Sequence, residues 1–373
     1  MAVPESIQFK IIFVPGTVRR LAPFVLSLLD ASIDCRFCLV SNGCRPEEDR
    51  ILADLAKTDP RLTFQRVGQG IPLSHGVALS QLQRQEKSPI FAFMDSDIFA
   101  TGDFVQEFDW SPSQSIARFS CPPVWSSHEL EKLPKQFGVL SGTYNRLHDD
   151  FCVGSSYFAV YDNDRLTQFV RRTGIDFEYA LWTRLPRRIR RQLKQAGKQM
   201  LIYDTGKLLN ILLQLDTGAN LDFRKLTTLE HIGAVSCRVL YQPRGPVRGV
   251  LRSVAQAMPR VARQLCWQSG MHYGWRDLLC EEEIRRRGIE QQRQQQVFRH
   301  LMPLLRDSKP TTDHVGHFGF DDSSLAAPVS RVSAKLHANY THWKQRIPRQ
   351  LSVYTADDSF EADWSLQTSL KAA

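Results

Sequence analysis

The sequence predicts an α/β domain on a mainly parallel central sheet, followed by a helical C-terminal extension. Three observations carry this. Over the first hundred residues, short β-branched or aromatic runs alternate with helical patterns, the order that a parallel sheet wound by helices requires. Pro89 to Met94 (PIFAFM) is apolar throughout, as a strand buried on both faces must be. With 373 residues, 42% of them apolar, the chain can bury a large core, and disorder throughout is excluded.

The elements follow in order. Phe9 to Val14 reads as the first strand and Pro15-Gly16-Thr17 as the turn after it. Leu21 to Leu29 has helical spacing, and Arg36 to Val40 is a second strand closed by Ser41-Asn42-Gly43. Pro46 to Lys57 is a helix whose first turn holds Glu47, Glu48 and Asp49, where the helix dipole favours acids. Leu62 to Val67 is the third strand, Ser74 to Gln85 a helix, and Pro89 to Met94 a buried strand that ends at Asp95. Beyond residue 110 the pattern loosens, with a strand expected at Ser155 to Val160 and helix over 180–215. Two halves, at 8–110 and 111–240, would form one domain over 1–240. A basic helical extension over 241–306 and a loop-rich tail over 307–373 would follow.

A net charge of +9 favours an anionic partner, without choosing among nucleotide, glycan, nucleic acid and lipid surface. Eight cysteines are too dilute for a disulfide scaffold, and the N-terminus lacks a signal-peptide pattern, so a cytoplasmic setting is the expectation. Cys35 and Cys38 read as buried strand thiols rather than a zinc or redox pair. No apolar run approaches the ~20 residues of a membrane span, so any membrane contact would be peripheral, at an anionic surface such as the inner face of the plasma membrane. Arg184, Arg187, Arg188, Arg190, Arg191 and Lys194 crowd one segment; a solvated helix face is the ordinary reading, and a grip on pyrophosphate, acidic glycan or lipid headgroups the functional one. Aromatic residues are not interleaved there as stacking on nucleic acid requires. Trp267, His272, Tyr273 and Trp275 are read as packing the C-terminal helices, and Asn339-Tyr340-Thr341 as a glycosylation triplet with little weight.

The chemistry gathers at Asp95-Ser96-Asp97. Open parallel sheets bind ligands at the carboxyl ends of their strands, which is where this triplet stands. Extended backbone sends both carboxylates of an Asp-x-Asp to one side, and together they suit a hard cation, Mg²⁺ or Mn²⁺. Such a cation would bridge the phosphates of a bound diphosphate and stabilise it as a leaving group. His75, beside a helix start, is placed to meet a nucleotide or its phosphates.

The stretch SHGVALSQLQRQEKSPIFAFMDSDIFATGDF resembles the donor-binding half of family 2 glycosyltransferases, in which a Gly-containing helix precedes the strand that ends in Asp-x-Asp. FKIIFVPGTVRRL and CLVSNGC look like their first two strands, with Ser41 where the family commonly has Asp. The resemblance implies the Rossmann-like glycosyltransferase A fold and transfer of a sugar from a nucleotide-sugar donor to a hydroxyl of a glycan or lipid-linked acceptor, with inversion. It further implies that the donor is held by Val14, Pro15, Gly16, Thr17, Ser41, Asn42, His75, Asp95, Ser96 and Asp97. Asp204, about a hundred residues past the metal motif, stands where such enzymes place their catalytic base; a helix N-cap explains it equally, and Asp149, Asp150, Asp176 and Glu178 are rivals. His231 stands where similar enzymes return a histidine to the metal, making a mixed Asp95/Asp97/His231 site suited to Mn²⁺. A sugar-phosphate nucleotidyltransferase is the alternative enzyme, although VPGTVRRL is a poor match to its Gly-rich loop. A basic adaptor on a degenerate transferase fold is the non-enzymatic one.

Overall fold

Seven strands make the central sheet, in the order Asn220–Arg224, Ser115–Ser120, Phe158–Asp162, Ile90–Asp95, Gln8–Phe13, Arg36–Asn42 and Leu62–Val67. In this computed structural model, residues 7–32, 34–108, 110, 115–120, 139–140, 151–154, 157–217, 220–224 and 226–231 are described. The expected extension (241–306), the tail (307–373), the aromatic group around Trp267 and Asn339-Tyr340-Thr341 lie outside them. The strands are β1 (Gln8–Phe13), β2 (Arg36–Asn42), β3 (Leu62–Val67), β4 (Ile90–Asp95), β5 (Ile98–Ala100), β6 (Ser115–Ser120), β7 (Val139–Leu140), β8 (Phe158–Asp162), β9 (Ala180–Leu181), β10 (Ile202–Tyr203), β11 (Asn220–Arg224) and β12 (Leu229–His231). The helices are α1 (Val18–Ala31), α2 (Pro46–Ala56), α3 (His75–Gln85), α4 (Asn163–Thr173), α5 (Arg187–Gln195) and α6 (Lys207–Thr217).

Pairs β3/β2, β2/β1, β1/β4 and β6/β11 are parallel, and β8 runs antiparallel between β4 and β6. The sheet is therefore mainly parallel and Rossmann-like, as the sequence predicts. Alternation along each strand feeds two cores. Phe9, Ile11, Phe37, Leu39, Met94 and Phe158 face α1 and α2. Ile12, Val40, Phe91, Phe93 and Tyr161 face α3, α4, α5 and α6. Helix α1 buries Leu21, Phe24, Val25, Leu28 and Leu29, a stripe at the spacing of one helical face.

Two expectations need adjusting. The strand expected at Ser155 to Val160 is β8, which extends to Asp162; Ser155 and Ser156 lie outside the described residues. The expected helix over 180–215 is interrupted. A 3-10 turn at Trp182–Arg184 leads into α5, and β10 then pairs with β9 before α6 begins. Ile202 and Tyr203 are buried in that small sheet, so tertiary pairing overrides the local helical pattern.

Candidate functional site

Strand β4 delivers Asp95 at its last residue, and Ser96-Asp97 turn directly into β5. Antiparallel pairing sets His231 of β12 opposite Ile98 of β5, so a residue far along the chain returns to the triplet. His231 Nε2 lies 3.1 Å from Asp97 Oδ1 and 3.8 Å from Asp95 Oδ2. One ligand atom from each of Asp95, Asp97 and His231 falls within 4.8 Å of the others, close enough for a single cation to touch all three. Oxygen donors with one imidazole suit Mn²⁺ or a similar divalent ion.

The electrostatics favour a cation. Burial raises the Asp95 carboxyl above its ordinary value; His75 pulls it down, Asp97 pushes it up and His231 pulls it down again. Two carboxylates this close in a shielded place repel each other, and a divalent charge between them removes the cost. Asp95 keeps 29% of its side chain open toward the pocket, whereas Asp97 and His231 are buried. Asp95 is thus the most accessible of the three.

The carboxyl ends of β1, β2 and β4 open onto one pocket of about 440 Å³, part of it open to solvent, lined by Ile12, Val14, Asn42, Leu73, His75, Asp95, Ser96 and Asp97. His75, the first residue of α3, brings Nε2 to 3.6 Å from Asp95 Oδ1. Asn42 grips the wall of the pocket: its Nδ2 donates to the Leu73 carbonyl and its Oδ1 accepts the Leu73 N–H, at 2.9 and 2.8 Å. Gly43, at φ +67°, lets the same loop close in; a Cβ there would sit 2.4 Å from the backbone of Ile71 and Pro72.

Six of the residues expected to hold a donor (Val14, Asn42, His75, Asp95, Ser96 and Asp97) therefore share one cavity. The others stand behind it. Ser41 does not line the pocket: it is buried and donates to Asp49 Oδ1 at 2.5 Å, with Arg66 on the other Asp49 oxygen. Thr17 is buried and bonds the Val14 carbonyl, and the Gly16 N–H donates to Glu48 Oε1 at 2.7 Å. Pro15, Gly16 and Thr17 form the turn behind Val14. Glu48 and Asp49, expected as dipole acids, thus also fasten the turns after β1 and β2.

Asp204 lies in the turn between β10 and α6, where its Oδ1 accepts the Thr205 N–H at 2.8 Å and its carbonyl accepts the Lys207 N–H. The Gly206 N–H of the same turn donates to the Phe177 carbonyl at 3.0 Å. That carbonyl packs so close to Gly76 that a Cβ there would lie 2.5 Å from it. A short relay of backbone contacts thus joins the Asp204 turn to the start of α3, beside His75. Among the rivals, Asp176 is paired to Arg84 at 2.6 Å and Glu178 is exposed, while Asp149 and Asp150 lie outside the described residues. Behind the turn, Lys207 is buried with Nζ donating to the Gly154 carbonyl at 2.5 Å. Burial lowers it to about 8, against the pull of Asp204.

Sequence reasoning missed four contributors. Ile12 and Leu73 line the pocket; both look like ordinary strand and loop apolar residues. Tyr157 stacks on the His231 ring at 4.1 Å between centroids and 13° between planes, and its carbonyl accepts the Asp95 N–H at 2.8 Å. Glu107 accepts hydrogen bonds from the backbone and hydroxyls of Thr227 and Thr228, the residues that lead into β12. Burial raises Glu107, but those bonds outweigh it and leave the carboxyl below its ordinary value. Cys35 and Cys38 are buried thiols, both raised chiefly by burial and Cys35 to about 12, which suits packing rather than thiolate chemistry. None of the Arg184-to-Lys194 cluster lines the pocket.

No family model and no curated protein matches the sequence. Among solved structures, the chain is similar to the galactosyltransferase LgtC in complex with donor and acceptor sugar analogues, at 11% identity and a TM-score of 0.36, covering 58% of this chain and 73% of that one. It is similar to the glycosyltransferase GlyE of Streptococcus pneumoniae TIGR4, at 10% identity and 0.37, covering 70% of this chain and 63% of that one. It is also similar to the mannosyltransferase PcManGT of Pyrobaculum calidifontis in complex with GDP-Man and Mn²⁺, at 9% identity and 0.37, covering 96% and 88%. Likeness at that level does not carry an activity across; the chemistry follows from the residues of the site.

Proposed function

We propose that the chain is a metal-dependent glycosyltransferase that moves a sugar from a nucleotide-sugar donor to a hydroxyl of a glycan or lipid-linked acceptor, with inversion. The observation that supports it most is the Asp95-Asp97-His231 cluster, whose two aspartates line a pocket at the carboxyl ends of β1, β2 and β4. A cation there would neutralise the donor diphosphate and act as a Lewis acid for its departure. Ile12, Val14 and Leu73 give the pocket an apolar side against which a base or ribose can rest, while His75 stands at the acidic end to meet phosphate or ribose oxygens. Because Asn42 is engaged by Leu73 and Ser41 by Asp49, the recognition of the base falls to backbone groups and shape more than to these two side chains.

Asp204 is assigned as the base that takes the proton from the attacking hydroxyl. The relay through Gly206, Phe177 and Gly76 supports its nearness to the donor end of α3. Lys207, buried behind the same turn, sets the charge balance around it.

The test is thermal stabilisation by nucleoside diphosphates and nucleotide sugars, with and without Mn²⁺, followed by turnover. A nucleotide should raise the melting temperature only with metal, and Asp97→Asn should abolish that dependence. Asp204→Asn should keep the stabilisation and lose transfer. If no nucleotide stabilises the protein in the presence of metal, the reading fails; if Asp204→Asn still turns over, the base lies elsewhere.

A further inference from the structure

Helix α5 carries Arg187, Arg188, Arg190, Arg191 and Lys194 around a buried pair, Ile189 and Leu193. At about 100° per residue, the five cations spread over an arc of roughly 160° directly opposite that pair. Arg187, Arg188, Arg191 and Lys194 are exposed, as is Arg184 in the turn before the helix. None of these five forms an ion pair among the described residues, and the first turn of α5 holds no acid.

That placement works against the helix. Arginines in a first turn face the positive end of the dipole, and cations on adjacent turns repel one another. Burial of Ile189 and Leu193 holds the helix down in spite of this, so its own stability does not account for the charge. An anionic surface laid across the arc would relieve both the dipole conflict and the mutual repulsion.

We propose that the outer face of α5, with Arg184, is a docking surface for an anionic lipid bilayer. This goes beyond the reading of the pocket and does not depend on it. The face is a convex helix without an aromatic residue, which suits a plane of headgroups; a single-stranded polyanion calls for a groove and stacking platforms. Its apolar side points inward, so the attachment is electrostatic and nothing inserts.

The experiment is co-sedimentation of the full chain with phosphatidylcholine vesicles, with and without phosphatidylglycerol. Binding should require phosphatidylglycerol and fall steeply as salt rises. Each Lys or Arg near such a surface contributes about fivefold, so the combined variant Arg187→Gln, Arg188→Gln, Arg191→Gln, Lys194→Gln should lose about a hundredfold or more, with a melting temperature no lower than the parent's. A charge-matched control, Arg36→Gln, Arg50→Gln, Lys87→Gln, Arg171→Gln, removes exposed cations elsewhere and should bind within about fivefold of the parent. Equal loss in both variants would reduce the effect to net charge and overturn the proposal. So would equal binding to neutral vesicles. Capture of heparin or an oligonucleotide through the same four residues, with no vesicle binding, would overturn it in favour of a soluble polyanion.

Discussion

Three side chains divide the work at the acidic end of the pocket. Asp97 and His231 are buried against each other, while Asp95 faces both the pocket and His75. Replacing Asp97 by Asn, or His231 by Gln, exchanges a candidate carboxylate or imidazole donor for a weaker neutral amide at nearly constant volume. Loss of a supporting group alone costs tenfold to a hundredfold in metal affinity, so either change should weaken Mn²⁺ binding by more than about a hundredfold in calorimetry. A loss under tenfold would put the cation elsewhere. Lys207 makes a different kind of claim. Held at about 8 against an ordinary 10.5, it binds fewer protons folded than unfolded between those two values, so stability rises with pH across that window. Below about 8 its burial costs on the order of 3 kcal/mol, and above about 10.5 that cost is gone. Denaturation midpoints of the parent and Lys207→Met should therefore converge as pH climbs from 8 to 10.5; a constant gap would refute the shift.

Two loops and one short strand decide whether those side chains meet. Gly43 lets the 68–74 loop close on β2, and Gly43→Ala would put a Cβ against the backbone of Ile71 and Pro72 at a left-handed φ. The expected cost is about 1–3 kcal/mol, read by urea denaturation, together with weaker nucleotide binding as Leu73 moves from the pocket wall. Strand β12 is only three residues long and leans on Glu107. Glu107→Gln should lower hydrogen-exchange protection at 229–231 and weaken Mn²⁺ binding, while the turns after β1 and β2 keep their protection. Unchanged protection at β12 would show that pairing with β5 suffices.

Across the whole molecule, the parts legible in the sequence are those whose signal is local. Phe9 to Val14 and Pro89 to Met94 announce buried strands by composition, and Asp95-Ser96-Asp97 announces its chemistry by standing at the end of one. The interruption of 180–215 was not legible, because Ile202 and Tyr203 become strand only by pairing with β9 and β7. Ser41 could not be separated from Asn42 by sequence: adjacent residues on β2 point to opposite faces, and only the fold shows that Asp49 waits on one side and Leu73 on the other. Tyr157 and Glu107 carry no motif at all; they matter because of what packs against them. His231 was reached through family resemblance, and its approach to Asp97 depends on a strand pair that closes over a separation of 134 residues.

That separation has a consequence for the order in which the protein becomes competent. A ribosome releases the turns after β1 and β2, the 68–74 loop and both aspartates well before β12 emerges. The residues that line the pocket all lie at or before Asp97, but the third member of the Asp95-Asp97-His231 cluster arrives only when His231 clears the exit and β12 finds β5. Until then Asp95 and Asp97 have no imidazole beside them, and a cation would have two carboxylates to hold it instead of three donors. The cluster that could hold a cation is therefore complete only once residue 231 has been made.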